Sequence, residues 1–407
     1  MAVFCTHAIA DPLVSTLMLD YLVRLQNEGP VQDVLLFTEE GPGTQADGST
    51  KEGLLEKRID WIPLHYDVKG AQWTQKLVIA WQVWRKTRSF MRGRDQRWLV
   101  GFLSFGGAYA ALLGRMALGR SATICFEPHS RYMVELGTWG DRSLKARVMH
   151  ILERLQMRRS DLLVVPTKAG VDLAMEHHPK GRVVLQAITI NVNEALFDPV
   201  GRERYRAQYV MEGSTLLAYV GKFGGIYYSA GAYLRFVERA LQADRSLRFL
   251  IIASHRDLDA IRSVPSFKGL EQHLILHPPV PPSELGALLS AADLGVMAIP
   301  PTPSQVFRTP VKTAHYWSAG LPLIIPEGIS DDWRIARMEG LGIVTGDLPE
   351  LDIVHFRSEL DAWRRRNVEE VRRACISAAR RYRDTEAMVR LLQREFADET
   401  LPTKADR

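Results

Sequence analysis

Short apolar runs alternate with longer amphipathic stretches along the whole chain. In the first half the runs are "AVFCTH" (2–7), "VQDVLLFT" (31–38), "IDWIPLHY" (59–66), "RWLVGFL" (97–103), "SATICFE" (121–127), "DLLVVP" (161–166) and "RVVLQAI" (182–188). The second half repeats the rhythm with "TLLAYVG" (215–221), "LRFLIIA" (247–253), "HLILHPPV" (273–280), "DLGVMAI" (293–299), "LPLIIP" (321–326) and "LGIVTG" (341–346). These runs are continuous in their hydrophobicity, which is the mark of parallel strands covered on both faces. The stretches between them read as helices. Asp11 and Pro12 open one, as N-cap and first helical residue. In 142–159, Leu144, Val148, Ile151, Leu152 and Leu155 share one face, the spacing of an amphipathic helix.

Two such series predict an α/β protein of two doubly wound, Rossmann-like parallel-sheet domains. The expected division is 1–197, then 198–350, then C-terminal helices over 351–407 that cross back to the first domain. The join is expected near 193–209, where apolar periodicity lapses and charge rises. A length of 407 residues agrees with two domains rather than one. Ligands of open parallel sheets bind beyond the carboxyl ends of the strands. The loops to search are therefore Thr6-His7, Ser104–Gly107, Glu127–Ser130, Gly221–Gly225, Ser254-His255 and Pro300–Pro310. A Gly-rich stretch, "EGPGTQADGST" (40–50), is a further loop expected at a site's mouth.

Composition narrows the class. Apolar residues make up 46% and charged residues 24%, as in a globular protein. No apolar run nears the roughly 18 residues of a spanning helix, and the start lacks a signal peptide's basic and apolar regions. A cytoplasmic protein is expected, at the inner face of a membrane if its basic patches touch lipid. Cys5, Cys125 and Cys375 stand far apart, which argues against a disulfide framework or a zinc site. The net charge is +5, but residues 85–97 carry six Arg/Lys against Asp95, and 142–159 carry six against Glu153. Solvated helix faces are the default explanation. An anionic membrane is the functional one, with Trp81, Trp84, Phe90 and Trp98 flanking the first cluster. No nucleic-acid motif accompanies the charge.

The stretch "RTPVKTAHYWSAGLPLIIP" (308–326) carries the clearest chemistry. Thr309 is an expected N-cap, with Pro310 at the first helical position. Lys312 then falls in the first turn, where free backbone N–H groups and the helix dipole already favour an anion. Arg308 adds charge, and His315 follows Lys312 by one turn on the same face. In "LAYVGKFGGIYY" (217–228) a strand runs into Gly221, Lys222, Gly224 and Gly225, a loop whose backbone can approach a ligand closely. Two cationic loop-to-helix turns from one sheet suggest a diphosphate held by Lys222 and Lys312. In the first half, "CFEPHS" (125–130) puts Glu127, His129 and Ser130 past a strand end, and His7 follows strand one. No Ser-His-Asp order, H-E-x-x-H or Asp-rich motif is present, so no metal ion and no resident cofactor are expected.

Four stretches resemble the two-domain GT-B glycosyltransferases of the broad retaining group called family four. They are "SDLLVVPTKAGVDLA", "ITINVNEALFDP", "YVGKFGGIYY" and "AADLGVMAIPPTPSQVFRTPVKTAHYWSAGLPLII". The resemblance spans nearly the whole chain and is strongest over 160–346. It implies a nucleoside-diphosphate-sugar donor bound by the second domain, with Lys222 and Lys312 neutralising the diphosphate. It implies a functional His129 near the transferred sugar, and an acceptor saccharide is expected against the first domain, a lipid-linked one if the basic, Trp-bearing stretch 81–98 touches a membrane. The group's two glutamates, eight positions apart, are missing here: Phe307 and His315 stand in their places. Two alternatives stay open, a degenerate nucleotide-binding protein and a GT-B sugar-nucleotide epimerase.

Overall fold

The computed structural model describes residues 1–11, 13–41, 48–65, 72–94, 97–114, 116, 119–209 and 213–398. Pro12, Asp95 and most of the Gly-rich stretch 40–50 lie outside these residues. The chain divides into two compact units, Met1–Ala187 with Glu386–Arg407, and Ile188–Thr385.

The first unit opens with β1 (Ala2–Cys5), a π-helical turn and α1 (Leu19–Glu28), then β2 (Val34–Glu40) and α2 (Gly48–Glu56). The Asp11 carboxylate accepts the Leu13 backbone N–H at 2.9 Å, ahead of that turn. β3 (Ile59–His65), α3 (Gln72–Met91), β4 (Trp98–Phe102) and α4 (Leu103–Leu113) follow. Then come β5 (Arg120–Ile124), α5 (His129–Glu135), α6 (Leu144–Arg159), β6 (Leu162–Val165), α7 (Lys168–Glu176) and β7 (Arg182–Leu185). The sheet order is β3-β2-β1-β4-β5-β6-β7, every pairing parallel. Residues 104–107 are not a loop, because α4 starts directly from β4 at Leu103, whose φ is +62°. Gly101, Gly106 and Gly107 let α4 lie against the sheet, since a Cβ on any of them would meet backbone or Thr123.

The second unit contains α8 (Pro199–Tyr209), β8 (Thr215–Val220), α9 (Ala230–Ala243), β9 (Leu247–Ile252), α10 (His255–Arg262), α11 (Phe267–Leu270) and β10 (Leu274–His277). α12 (Pro282–Ser290), β11 (Leu294–Val296), α13 (Val311–Ser318), β12 (Leu323–Pro326), α14 (Asp332–Met338) and β13 (Gly342–Thr345) complete its sheet layers, with α15 (Ile353–Arg364) and α16 (Val368–Tyr382) beyond. The order is β10-β9-β8-β11-β12-β13, again parallel. Alternate strand residues feed two separate cores. Leu216, Ala218, Leu250 and Ile252 enter one, and Leu217, Tyr219, Phe249 and Ile251 the other. Burial on both faces is why these strands read as unbroken apolar runs.

Two boundaries differ from the sequence expectation. The stretch 193–209 lies inside the second unit, where Arg202 and Arg206 of α8 pair with Asp293 at 2.8 and 3.0 Å. Its charge is used in ion pairs rather than in a linker. Of the C-terminal helices, α15 and α16 stay with the second unit, and α17 (Thr385–Ala397) joins the first from Glu386 onward. α17 sets Phe396 against Trp98 at 5.0 Å between ring centroids, and Glu386 pairs with Arg24.

In α6 the apolar face that the sequence pattern picks out is not the buried one. Ala146, Met149, Glu153, Gln156 and Met157 point inward, whereas Leu144 is 73% and Ile151 56% exposed. Two buried polar residues disguise the true inner face.

Candidate functional site

In the second unit the strand order reverses between β8 and β11. At such a switch point the loops leave in opposite directions, and a crevice opens beyond the strand ends. The loop after β8 is Gly221–Ser229. The segment after β11 ends in a 3-10 turn (Pro303–Phe307) that leads to α13. Lys222, Lys312 and His315 stand on these two segments.

Gly221 has φ +144°, Gly224 +83° and Gly225 +62°, values that exclude most side chains. A Cβ on Gly221 would stand 2.5 Å from the Lys312 Nζ, so only glycine lets the lysine cross the loop there. The loop is anchored at several points. Tyr219 Oη donates to the Lys222 carbonyl at 2.6 Å, and the Phe223 N–H donates to the Asp257 carboxylate at 3.1 Å. Tyr228 Oη donates to Asp347. Tyr316 ties the two strand ends to each other. Its hydroxyl accepts the Val220 N–H at 3.0 Å and donates to the Val296 carbonyl at 3.2 Å, bridging β8 and β11 where they part. Its ring lies where a Cβ on Gly295 would be, 2.5 Å away.

Lys312 is the unusual group. The residue is half-buried, but its Nζ has no water contact and no hydrogen-bond partner among the described residues. It faces the rings of Tyr227 at 3.6 Å and Tyr219 at 4.8 Å. Burial first, and the nearby Lys222 charge second, push its ammonium well below the usual lysine range. His315, one turn on, is similar: its Nδ1 is buried without a partner, and burial lowers its pKa to about 4. An imidazole that burial keeps neutral beside an amine whose charged form burial disfavours is an unfinished electrostatic arrangement. A polyanion reaching Lys312 would complete it. Lys222 is exposed at the rim.

The expected cap differs. α13 begins at Val311 with Pro310 as N-cap and no side-chain cap bond. Thr309 is buried and accepts from Arg383, which also bonds the Ile188 carbonyl and Asp332. Thr309 is thus spent on the scaffold, and the N-terminal N–H groups of α13 stay free of it. Arg308 stands half-buried before the helix.

In the first unit the strand order reverses between β1 and β4. His7 follows β1, and its Nδ1 lies 3.9 Å from the Cys5 Sγ. Glu127 and His129 follow β5, with Cys125 at φ +60° turning the chain out of the strand. His129 opens α5 and meets Tyr132 and Trp139 edge-on at 5.8 and 6.0 Å. Ser130 is buried: its N–H and Oγ donate to Glu153 of α6 at 2.7 and 2.5 Å. Ser130 therefore serves α5 as an anchor rather than lining an open surface. Burial raises the Glu153 carboxyl to about 7 despite those bonds. Cys5, Cys125 and Cys375 are free, buried thiols pushed up by that burial.

No family model matches the chain, and no curated protein matches it either. Solved structures do. HepE of Anabaena in complex with UDP has a TM-score of 0.70 at 10% identity, over 97% of this chain and 99% of that one. Sucrose-phosphate synthase of Thermosynechococcus elongatus has a TM-score of 0.71 at 11% identity, over 97% and 98%. WaaG, a glycosyltransferase involved in lipopolysaccharide biosynthesis, has 0.60 at 15%, over 98% and 100%. The fold is GT-B.

Within this GT-B chain, sequence reading found Gly221, Lys222, Lys312 and His315, and the structure brings their loops together. It missed Tyr219, Tyr316 and Asp257, which hold the two segments, and it read Tyr227 only as standing where the resembled group has a further lysine, whereas its ring covers the Lys312 Nζ. It also missed Glu153. Tyr316 directly follows His315, but only the parting of β8 and β11 gives its hydroxyl a task.

Proposed function

We propose that the chain is a glycosyltransferase that moves a sugar from a nucleoside-diphosphate sugar to a saccharide acceptor. The observation that carries this reading is the Lys312 Nζ, out of water and with no hydrogen-bond partner among the described residues, at the switch point of a GT-B donor-side sheet. The UDP in the HepE complex supports a uridine diphosphate donor. In the proposed reaction the bond from the anomeric carbon to the diphosphate oxygen breaks. The electron pair leaves with the diphosphate, and an acceptor hydroxyl oxygen bonds the same carbon and gives its proton to the departing diphosphate. Lys312 and Lys222, with the free N–H groups of α13, stabilise the leaving charge, so that work is assigned to the chain rather than to a metal ion. Arg308 adds to the field, and His315 meets the nucleoside. In the first unit, Glu127 and His129 are assigned to the transferred sugar and the acceptor hydroxyl, and His7 to the acceptor. Retention of configuration is proposed on the family resemblance. The acceptor is proposed to be a lipid-linked saccharide of polysaccharide or glycoconjugate assembly, met at the inner face of a membrane.

The second reading is a GT-B protein that binds a nucleotide without turnover. The replacement of the two glutamates by Phe307 and His315 favours it. A thermal-shift series with UDP, GDP, ADP, CMP and dTDP tests the common core. One nucleotide should stabilise the wild type by about 2.7 kcal/mol at 100 times its Kd, and Lys312→Ala should abolish the shift. No shift from any of them sinks both readings. A shift without sugar release or transfer from the matching nucleotide sugar leaves the second. Conversion of that sugar nucleotide with no acceptor present indicates an epimerase.

A further inference from the structure

The outward face of α6 lacks a partner among the described residues. Leu144, Val148, Ile151 and Leu155 recur at four, three and four residues and form one apolar stripe. Leu144 and Ile151 are largely exposed, and Val148 and Leu155 half-buried. Arg147, Arg154 and Arg158 run beside the stripe, all exposed. α3 repeats the design. Leu77 is 71%, Val78 53% and Trp81 53% exposed, and Arg85, Arg88 and Arg92 continue the same surface. The Arg85 guanidinium lies 5.3 Å over the Trp81 ring. Of the four aromatics that flank the first basic cluster, only Trp81 is largely exposed. Trp84 and Phe90 are half-buried, and Trp98 is buried in β4.

The two helices lie on one face of the first unit's sheet. Right-handed crossovers put α1 and α2 on one side, and α3, α4 and α6 on the other. α4 packs against both α3 and α6, and Met116, just past its end, is 59% exposed. Charge is segregated in the same way. Residues 72–159, which supply these helices, carry sixteen Lys/Arg against five Asp/Glu. The rest of the first unit carries twelve against nineteen.

We infer that the α3–α4–α6 layer is a docking surface for an anionic phospholipid bilayer. That partner uses both components of the surface. Lipid phosphates answer the arginine rows, and the headgroup–acyl boundary takes up Leu77, Trp81, Leu144 and Ile151. The aliphatic stems of the arginines lie along the apolar stripe while their heads stay with the phosphates. A second copy of the same face would bring arginine against arginine. A nucleic acid would leave the aliphatic stripe in water.

The test is sedimentation of the full chain with phosphatidylcholine vesicles, with and without phosphatidylglycerol, at low and physiological salt. No nucleotide is needed, so failure here is separable from failure of the donor-site reading. Binding is expected only with phosphatidylglycerol and should weaken as salt rises. Leu144→Ser with Ile151→Ser, and Arg147→Glu with Arg154→Glu, should each lower the bound fraction, the charge reversal by about tenfold or more. All four positions are exposed, so the variants should keep the wild-type melting profile and nucleotide shift. The inference is overturned by vesicle binding indifferent to phosphatidylglycerol, or by no binding. It is overturned equally if the serine pair leaves vesicle binding intact, or if that pair instead dissolves a dimer.

Discussion

The two units run their first six strands in the same order and treat a buried titratable side chain in opposite ways. In the second unit, the Lys312 Nζ and the His315 Nδ1 are brought out of water with no hydrogen-bond partner among the described residues. In the first, the buried carboxyl of Glu153 is also taken out of water, but Ser130 satisfies it twice. A buried polar group with no partner destabilises the free protein. It persists where something outside the chain completes it. A satisfied one does its work in the free protein, here by tying the start of α5, and with it His129, to α6. On the proposed function, the second unit is the side that waits for an anion, and the first a pre-set scaffold.

The sharpest way to break this contrast is to titrate Glu153. Its folded pKa, about 7, lies above the ordinary carboxyl value of 4.5. The folded state therefore holds a proton that the unfolded state has released between those values. Stability should fall as pH rises from about 4.5 to 7 and level off above, a change on the order of 3 kcal/mol. Glu153→Gln keeps the shape, can accept from the Ser130 N–H and donate to its Oγ, and does not ionise. Chemical denaturation from pH 4.5 to 8 should show the wild-type slope disappear in the variant, leaving it the more stable protein above pH 7. Equal slopes would mean that Glu153 is charged and well paired at every pH.

Lys312 should give the next largest effect, with opposite sign in pH. Its folded pKa is depressed, so between that value and the unfolded one the unfolded state binds the extra proton. Wild-type stability should then climb as pH rises toward 10.5. Lys312→Met removes the unpartnered amine and should stabilise the free protein by about 1–3 kcal/mol near neutrality. It should flatten that climb and lose nucleotide binding. Denaturation curves with and without the stabilising nucleotide test both halves. A variant less stable than wild type would show that the amine already has its counter-charge, and the contrast between the units would go.

The sequence showed the fold more completely than the site. Runs such as "LLVV" (162–165) were legible because burial on both faces leaves no polar alternation to misread. Gly221 and Lys312 were legible because strand-to-glycine and Pro-to-lysine patterns announce loop and helix start locally. Tyr316 and Glu153 were not. Their tasks depend on Val220, Val296 and Ser130, partners 96, 20 and 23 residues away. Thr309 was misread for the same reason, since Arg383, which claims its hydroxyl, is 74 residues on.

The smallest predicted effect decides how α6 sits. Hydrophobic periodicity alone cannot say which of two interleaved stripes faces inward. The apolar stripe through Leu144 and Ile151 has the stronger pattern, yet the stripe through Ala146, Met149 and Glu153 is the buried one. Leu144→Ala should change stability by no more than about 0.5 kcal/mol, as exposed substitutions do. Met149→Ala, from the packed cluster with Trp139 and Ala146, should cost about 2 kcal/mol or more. Paired urea titrations give the ratio directly. A costly Leu144→Ala beside a silent Met149→Ala would mean that the helix is rotated in solution. Glu153 would then leave Ser130, the basic stripe would turn inward, and both the pre-set scaffold of the first unit and its lipid-facing layer would be lost together.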